Sequence, residues 1–188
     1  CARTHAHAHP AGQTGSGKTY TMAGPPDNPG VNTRAIQGLF DLAQSREQWK
    51  TDIEVSMLEI YNERIRDLFV PMNQQDKGGL KVRDSPSTGA YVYGLKKIPV
   101  VSYSQIERLM AFGTKNRTVA ATNMNETSSR AHTIFCIAFV QTVVNRDTMK
   151  ANDIRSEISL VDLAGSERVS RTGASGDRLV EGGHINKR

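Results

Sequence analysis

Residues Gly12-Gln13-Thr14-Gly15-Ser16-Gly17-Lys18-Thr19 match the pattern GxxxxGK[ST] at all four of its fixed positions. That spacing has a definite chemistry. Glycines let the backbone curl until successive N–H groups point inward at phosphate oxygens. Lys18 brings positive charge to the β- and γ-phosphates, and the Thr19 hydroxyl can ligate magnesium. A helix opening at this point would add the positive end of its dipole. A glycine-rich surface turn is the plainer reading, and the complete match weighs against it.

Two further segments carry groups suited to the same chemistry. In "LVDLAGSE", residues 160–167, the mostly apolar run Ile158–Val161 leads to Asp162 at the expected carboxyl end of a strand. A carboxylate there can hold the shell of a magnesium ion, usually through water. The Asp-x-x-Gly spacing then puts Gly165 where its amide can touch a γ-phosphate and register its loss. In "NETSSRAH", residues 125–132, short amide and hydroxyl groups sit beside the fixed cation of Arg130. Alone this would read as a solvated loop. Beside the other two motifs it reads as a segment able to close over a γ-phosphate.

The surrounding sequence predicts the elements that position these groups. "YTMAG" continues the helix that the phosphate loop opens, and "GPPDNPG" (24–30) breaks it. A helix is predicted over 32–46, with Asn32 as cap and Ile36, Leu39, Phe40 and Ala43 on one face. Alternation predicts a strand over 52–62, followed by a short amphipathic turn or helix over 63–69. A polar loop spans 73–79, with a weaker strand pair around "LKVRD" and "YVYGLKKIPVV". A second helix is predicted over 104–117, with Ser104 and Glu107 spaced as a capping box. Residues 132–144 are apolar on both faces, as a central strand is; "NRDTMKANDIR" reads as a polar connection and 157–163 as another buried strand. Alternating helices and strands predict an α/β three-layer domain.

Composition narrows the class. At 188 residues, 37% hydrophobic and 23% charged, the chain suits one globular domain. It contains no apolar run long enough to span a bilayer. Its two cysteines, Cys1 and Cys136, give neither a disulfide framework nor a metal spacing, so a reducing compartment is expected. The net charge of +5 permits an anionic partner without naming one.

The segments "GQTGSGKTYTM", "NMNETSSRAH", "SLVDLAGSER" and "EGGHINK" resemble, in order and interval, the phosphate loop, switch I, switch II and following helix of the kinesin motor domain. "LEIYNERIRDLF" and "TKNRTVAATNMNE" are further family phrases, and "VAATNMNETSS" and "STGASGDRLVEG" are most similar to the third kinesin family, the cargo-transport class. GTPases share Asp-x-x-Gly, but "TKNR" (114–117) lacks the aspartate of their Asn-Lys-x-Asp segment and precedes Asp162, and "INKR" (185–188) lies too close behind it. Myosins share Asn-x-x-Ser-Ser-Arg without SSRxH and DLAGSE.

The resemblance implies a P-loop NTPase fold: a central, mostly β sheet flanked by helices, incomplete at both ends. It implies an ATP-hydrolysing microtubule motor, cytoplasmic and cytoskeletal, with ATP and Mg2+ as cofactors and no nucleic-acid partner or membrane insertion. Gly12, Gln13, Thr14, Gly15, Ser16, Gly17, Lys18 and Thr19 would hold the nucleotide, and Tyr20 either stacks on adenine or packs on the first helix turn. Thr19, Ser129 and Asp162 would form the magnesium shell. Asn125 and Ser128 would place the γ-phosphate and attacking water. Arg130 and Glu167 would form a latch between the switches, with Glu167 also in the relay that takes the water's proton, and Gly165 would sense the γ-phosphate. Lys81, Arg83, Lys96 and Lys97 either approach tubulin or simply form soluble surface.

Some stretches depart from the family. "CARTHAHAHP" stands where an apolar strand is expected, and His5, His7, His9 and Pro10 read as a leader unrelated to the fold, or as a histidine metal site. Residues 11–188 are then the partial motor domain. Ala131 replaces the usual serine between Arg and His, and Gly182-Gly183-His184 softens the start of a helix. A nucleotide-responsive tubulin binder without turnover, and an inactive truncated gene product, are the alternatives these departures raise.

Overall fold

Ile53, Val55 and Met57 alternate with Asp52, Glu54 and Ser56, and that period of two makes Lys50–Tyr61 a strand, β2. It is an interior strand of a mixed sheet in the computed structural model, which describes residues 3–13, 15–25, 27–45, 49–76, 78–86, 89–124, 130–144 and 150–166. The sheet runs β1 (Arg3–Ala8), β8 (Ala151–Asp162), β7 (His132–Val144), β2, β3 (Arg64–Asp67). A short strand, β6 (Ile98–Val100), shares the outer edge of β2 with β3. β1 is parallel to β8, and the other pairings are antiparallel.

Register sorts the sheet into two unlike faces. Val55 pairs with Ile137, Ile137 with Ile158, and Ile158 with Ala6; one step on, Met57, Phe135, Leu160 and Ala8 form the next row. This apolar face is covered by α1 (Lys18–Met22), α2 (Val31–Gln44) and α3 (Tyr103–Met124), which deliver Met22, Ile36, Phe40 and Ile106 to the core. Burying side chains such as Ile36, Ile106 and Ile137 contributes about 1.5–3 kcal/mol each. The opposite face presents Ser56, Cys136, Ser159 and His7 in one row. A separate hairpin, β4 (Lys81–Ser85) with β5 (Gly89–Tyr93), stands off the main sheet.

Several expectations are corrected. Residues 3–8 of the expected leader form β1, in register with Arg155–Leu160. The histidines are tolerated because His5 and His7 lie on the face opposite the apolar core rows: His5, His7 and His9 are exposed, and Pro10 falls just beyond the ladder. No histidine metal cluster occurs among the described residues. The turn or helix expected over 63–69 is strand β3. Asn62 and Glu63 both take left-handed φ, 46° and 61°, and this tight reversal sends the chain back along β2. α2 is capped by Gly30, so Asn32 lies inside the helix. α3 begins at Tyr103, which places Ser104 beyond the cap; Gln105 Oε1 instead accepts the Val101 N–H at 2.8 Å. The polar connection is shorter than expected, because residues 151–155 extend β8.

Candidate functional site

The phosphate loop lies between β1 and α1. Gly15 and Gly17 have φ of 82° and 84°, the left-handed region that glycine enters without penalty, and Gly17 is the N-cap of α1. A Cβ at either position would meet nothing within 4 Å, so backbone conformation, and no shortage of room, calls for glycine there. Lys18 is buried, and its ammonium donates to the carbonyls of Gly12 at 2.8 Å and Gln13 at 2.9 Å. These two bonds curl the side chain back into the loop and leave a third donor for an anion held there.

Asp162 ends β8 and lies in the same row as Thr133 and Glu59. Its Oδ2 accepts the Thr19 hydroxyl at 2.8 Å, joining two motifs 143 residues apart. Its Oδ1 is buried and accepts no hydrogen bond from the described residues. A carboxylate oxygen without a donor, beside a hydroxyl oxygen, suits a hard divalent cation that takes oxygen ligands. The residues present therefore fit magnesium.

Beyond Asp162 the chain is tied down at both sides of Gly165. The Ala164 N–H donates to His132 Nδ1 at 3.1 Å, and the Ser166 N–H donates to the Gly12 carbonyl at 3.1 Å. Gly165 is buried between these ties. Sequence reasoning thus brought Gly12, Gln13, Lys18, Thr19, Asp162 and Gly165 to one place, with Gly15, Ser16 and Gly17 in the loop itself. Tyr20 is 61% exposed. Arg130 and the buried Ala131 lead into β7. Thr14, Asn125, Ser128, Ser129 and Glu167 lie outside the described residues.

Sequence reasoning missed one charged group. Glu59, 3% exposed, is met by Arg117 Nε of α3 at 3.2 Å and by Arg66 Nη1 of β3 at 3.8 Å. Arg117 Nη1 also lies 3.9 Å from Asp162 Oδ2. The guanidinium thus connects the carboxylate of the site to a second, buried one. Position 59 shares the strand parity of Ile53, Val55 and Met57, so a charge there had to meet a partner. That parity was the available signal. Away from the site, Asp67 receives the N–H groups of Phe69 and Lys96 at 2.8 and 2.7 Å, and burial still raises its carboxyl above the usual range.

A family model for the kinesin motor domain matches residues 9–188. Kinesin-like protein KIF13B of Homo sapiens is 51% identical over 178 residues, which cover 94% of this chain and 10% of that protein. Kinesin-related protein 1 of Dictyostelium discoideum is 51% identical over 181 residues, covering 94% and 8%. Among solved structures, a fast kinesin aligns with a TM-score of 0.80 at 42% identity, over 98% of this chain and 51% of that one. KIF14 with ADP in complex with a microtubule aligns at 0.81 and 41%, over 99% and 52%. The chain spans about a tenth of the length of these curated relatives and about half of the solved chains.

Proposed function

The chain belongs to the kinesin motor-domain family, with members of the third kinesin family among its relatives, and from that premise we propose that the protein hydrolyses ATP and moves along microtubules in the cytoplasm. Residues 11–188 form part of its motor domain in this reading, joined by β1. The observation that carries it is the 2.8 Å bond between Thr19 and Asp162, with the other Asp162 oxygen buried and unmatched.

Backbone N–H groups from Gly12 to Thr19 cradle the phosphates, Lys18 balances their charge, and Tyr20 carries the adenine. Thr19, Ser129 and Asp162 would hold magnesium, which supplies positive charge to the phosphoryl oxygens when bound. Asn125 and Ser128 orient the γ-phosphate and the attacking water. Arg130 pairs with Glu167 to close the switches, and Glu167 belongs to the relay that accepts the water's proton. Catalysis of this kind is mainly positioning and charge stabilisation. Once the γ-phosphate leaves, the Gly165 amide loses its acceptor and the segment after Asp162 takes its second arrangement. Two solved relatives are microtubule complexes of KIF14, one with AMP-PNP and one with ADP, which supports both the ligand class and the partner.

The test is ATP turnover by the full-length protein with and without microtubules at low ionic strength. Several-fold stimulation is expected, and no stimulation would overturn the reading. The buried methyl of Ala131, where the family usually carries serine, favours a second reading as a tubulin binder without turnover. Microtubule co-sedimentation that differs between ATP and ADP without phosphate release would select it.

A further inference from the structure

The segment between α1 and α2 closes on itself. The Gly30 N–H donates to the Ala23 carbonyl at 2.9 Å, and the Asn28 N–H donates to the Pro25 carbonyl at 3.1 Å. Gly24, with φ of 66°, and Gly30 form the neck. A Cβ on Gly24 would strike the Asn28 carbonyl, and one on Gly30 would lie 2.5 Å from the Met22 carbonyl oxygen. From the first turn of α2, Arg34 reaches back across this strap. Its Nε donates to the Pro29 carbonyl at 2.7 Å and its Nη2 to Asn28 Oδ1 at 3.0 Å. That second bond decides which way the Asn28 amide faces. With Oδ1 turned to the guanidinium, Nδ2 points the other way and donates to the Tyr20 hydroxyl at 3.4 Å.

A planar cation thus fixes an amide, and the amide in turn meets an exposed aromatic ring two residues after the phosphate-loop lysine. We infer that Arg34 and Asn28 are positioning residues for a purine-base subsite, in which the Asn28–Arg34 pair holds the Tyr20 ring at the angle a stacked base requires. The inference rests on the proposed nucleotide site and adds to it the residues that orient the base. Tyr20 touches the base, whereas Arg34 and Asn28 act through Tyr20. Stacking is tolerant of base identity and depends on the relative geometry of the two rings. The arrangement therefore contributes affinity for the base without touching the phosphates.

Calorimetric titration of the full-length protein with MgADP and, separately, with magnesium pyrophosphate tests this. Pyrophosphate lacks the base and reports the phosphate loop alone. Asn28→Ala and Tyr20→Phe keep the ring and free its angle, so each is expected to weaken MgADP about three- to tenfold, less than removal of the whole ring would, and to leave pyrophosphate affinity unchanged. The double variant should be no weaker than either single one, because both remove the same link. Arg34→Lys should fall short of wild type, since one ammonium cannot reproduce the fork that holds Pro29 and Asn28 together. Unchanged MgADP affinity in Asn28→Ala and Tyr20→Phe would overturn the inference, as would equal losses for both ligands, which would mark the strap as merely structural. Wild-type binding of neither ligand would remove the nucleotide reading itself and this inference with it. Binding of pyrophosphate as tightly as MgADP would remove the inference alone.

Discussion

Asp162 carries a charge that the described residues only half satisfy: one oxygen has the Thr19 hydroxyl and the other has no donor. Asp162→Asn keeps the shape and removes the charge. Its gain in ADP affinity on adding magnesium should fall at least tenfold, about 1.4 kcal/mol, with little change in thermal stability. Titrations with and without the metal check this, and an unaltered magnesium effect would deny Asp162 its role. Glu59 is the opposite case, a buried carboxylate held by Arg117 and Arg66. Arg117→Met should cost roughly 3 kcal/mol in urea unfolding, because a buried carboxylate loses the cation 3.2 Å from it. Removing both partners, Glu59→Met with Arg117→Met, should cost less than the single change. The contrast explains what could be read from the chain. Lys18, Thr19 and Asp162 announce themselves because phosphate chemistry fixes residue type at fixed spacing. Glu59 and Arg117 are 58 residues apart and obey no spacing rule, so only the fold pairs them.

At the scale of elements, two helix glycines make opposite predictions. A Cβ added to Gly38, within α2, would meet nothing within 4 Å, so Gly38→Ala should stabilise by about 0.5–1 kcal/mol, raising Tm by roughly 2–4 °C for each kcal/mol. Gly113 lets α3 lie directly on β2, and a Cβ there would collide with the Met57 sulfur. Gly113→Val should destabilise by about 1–3 kcal/mol through overpacking. Thermal melts of the two variants should move in opposite directions. The turn of β3 into the next segment adds a pH effect. Burial raises the Asp67 carboxyl in the folded state above its usual 3.8. The native protein therefore holds that proton more tightly, so the contribution to stability is greatest below the unfolded value and falls as pH rises through the folded one. The stability margin of wild type over Asp67→Asn should shrink between pH 4 and pH 7. Elements with a clean period were legible: α2, β2, β7 and the second half of β8 fall close to their expected ranges. β3 was not, because Ile65, Leu68 and Phe69 mimic helical spacing while the decisive event, two left-handed residues at Asn62 and Glu63, leaves no apolar signature. β1 was obscured for a related reason. His5 and His7 lie on the face opposite the core, and only the small Ala6 and Ala8 join the apolar rows, too weak a period to mark a strand.

For the whole molecule, the proposed binding to microtubules requires a place where a chain of net charge +5 would meet an acidic filament. The β4–β5 hairpin offers a surface set apart from the nucleotide site. Register pairs Lys81 with Tyr93 and Arg83 with Tyr91, so two cations and two rings share one face, and all four side chains are exposed. The Arg83 guanidinium lies 3.7 Å from the centre of the Tyr93 ring, which steadies the charge without neutralising it. Lys96 and Lys97 are exposed on the following segment, where the Lys96 N–H is fastened to Asp67. Fixed, exposed cations of this kind favour encounter with an anionic surface and lose their effect as salt rises. Reversing Lys81 and Arg83 to glutamate changes the local charge by four units while leaving the phosphate loop untouched. Microtubule co-sedimentation should weaken about tenfold or more at low salt, with a shallower dependence on ionic strength, and MgADP affinity should stay at the wild-type value. If microtubule binding and its salt dependence both survive the reversal, the hairpin is ordinary solvated surface and the contact with the filament lies on another part of the protein.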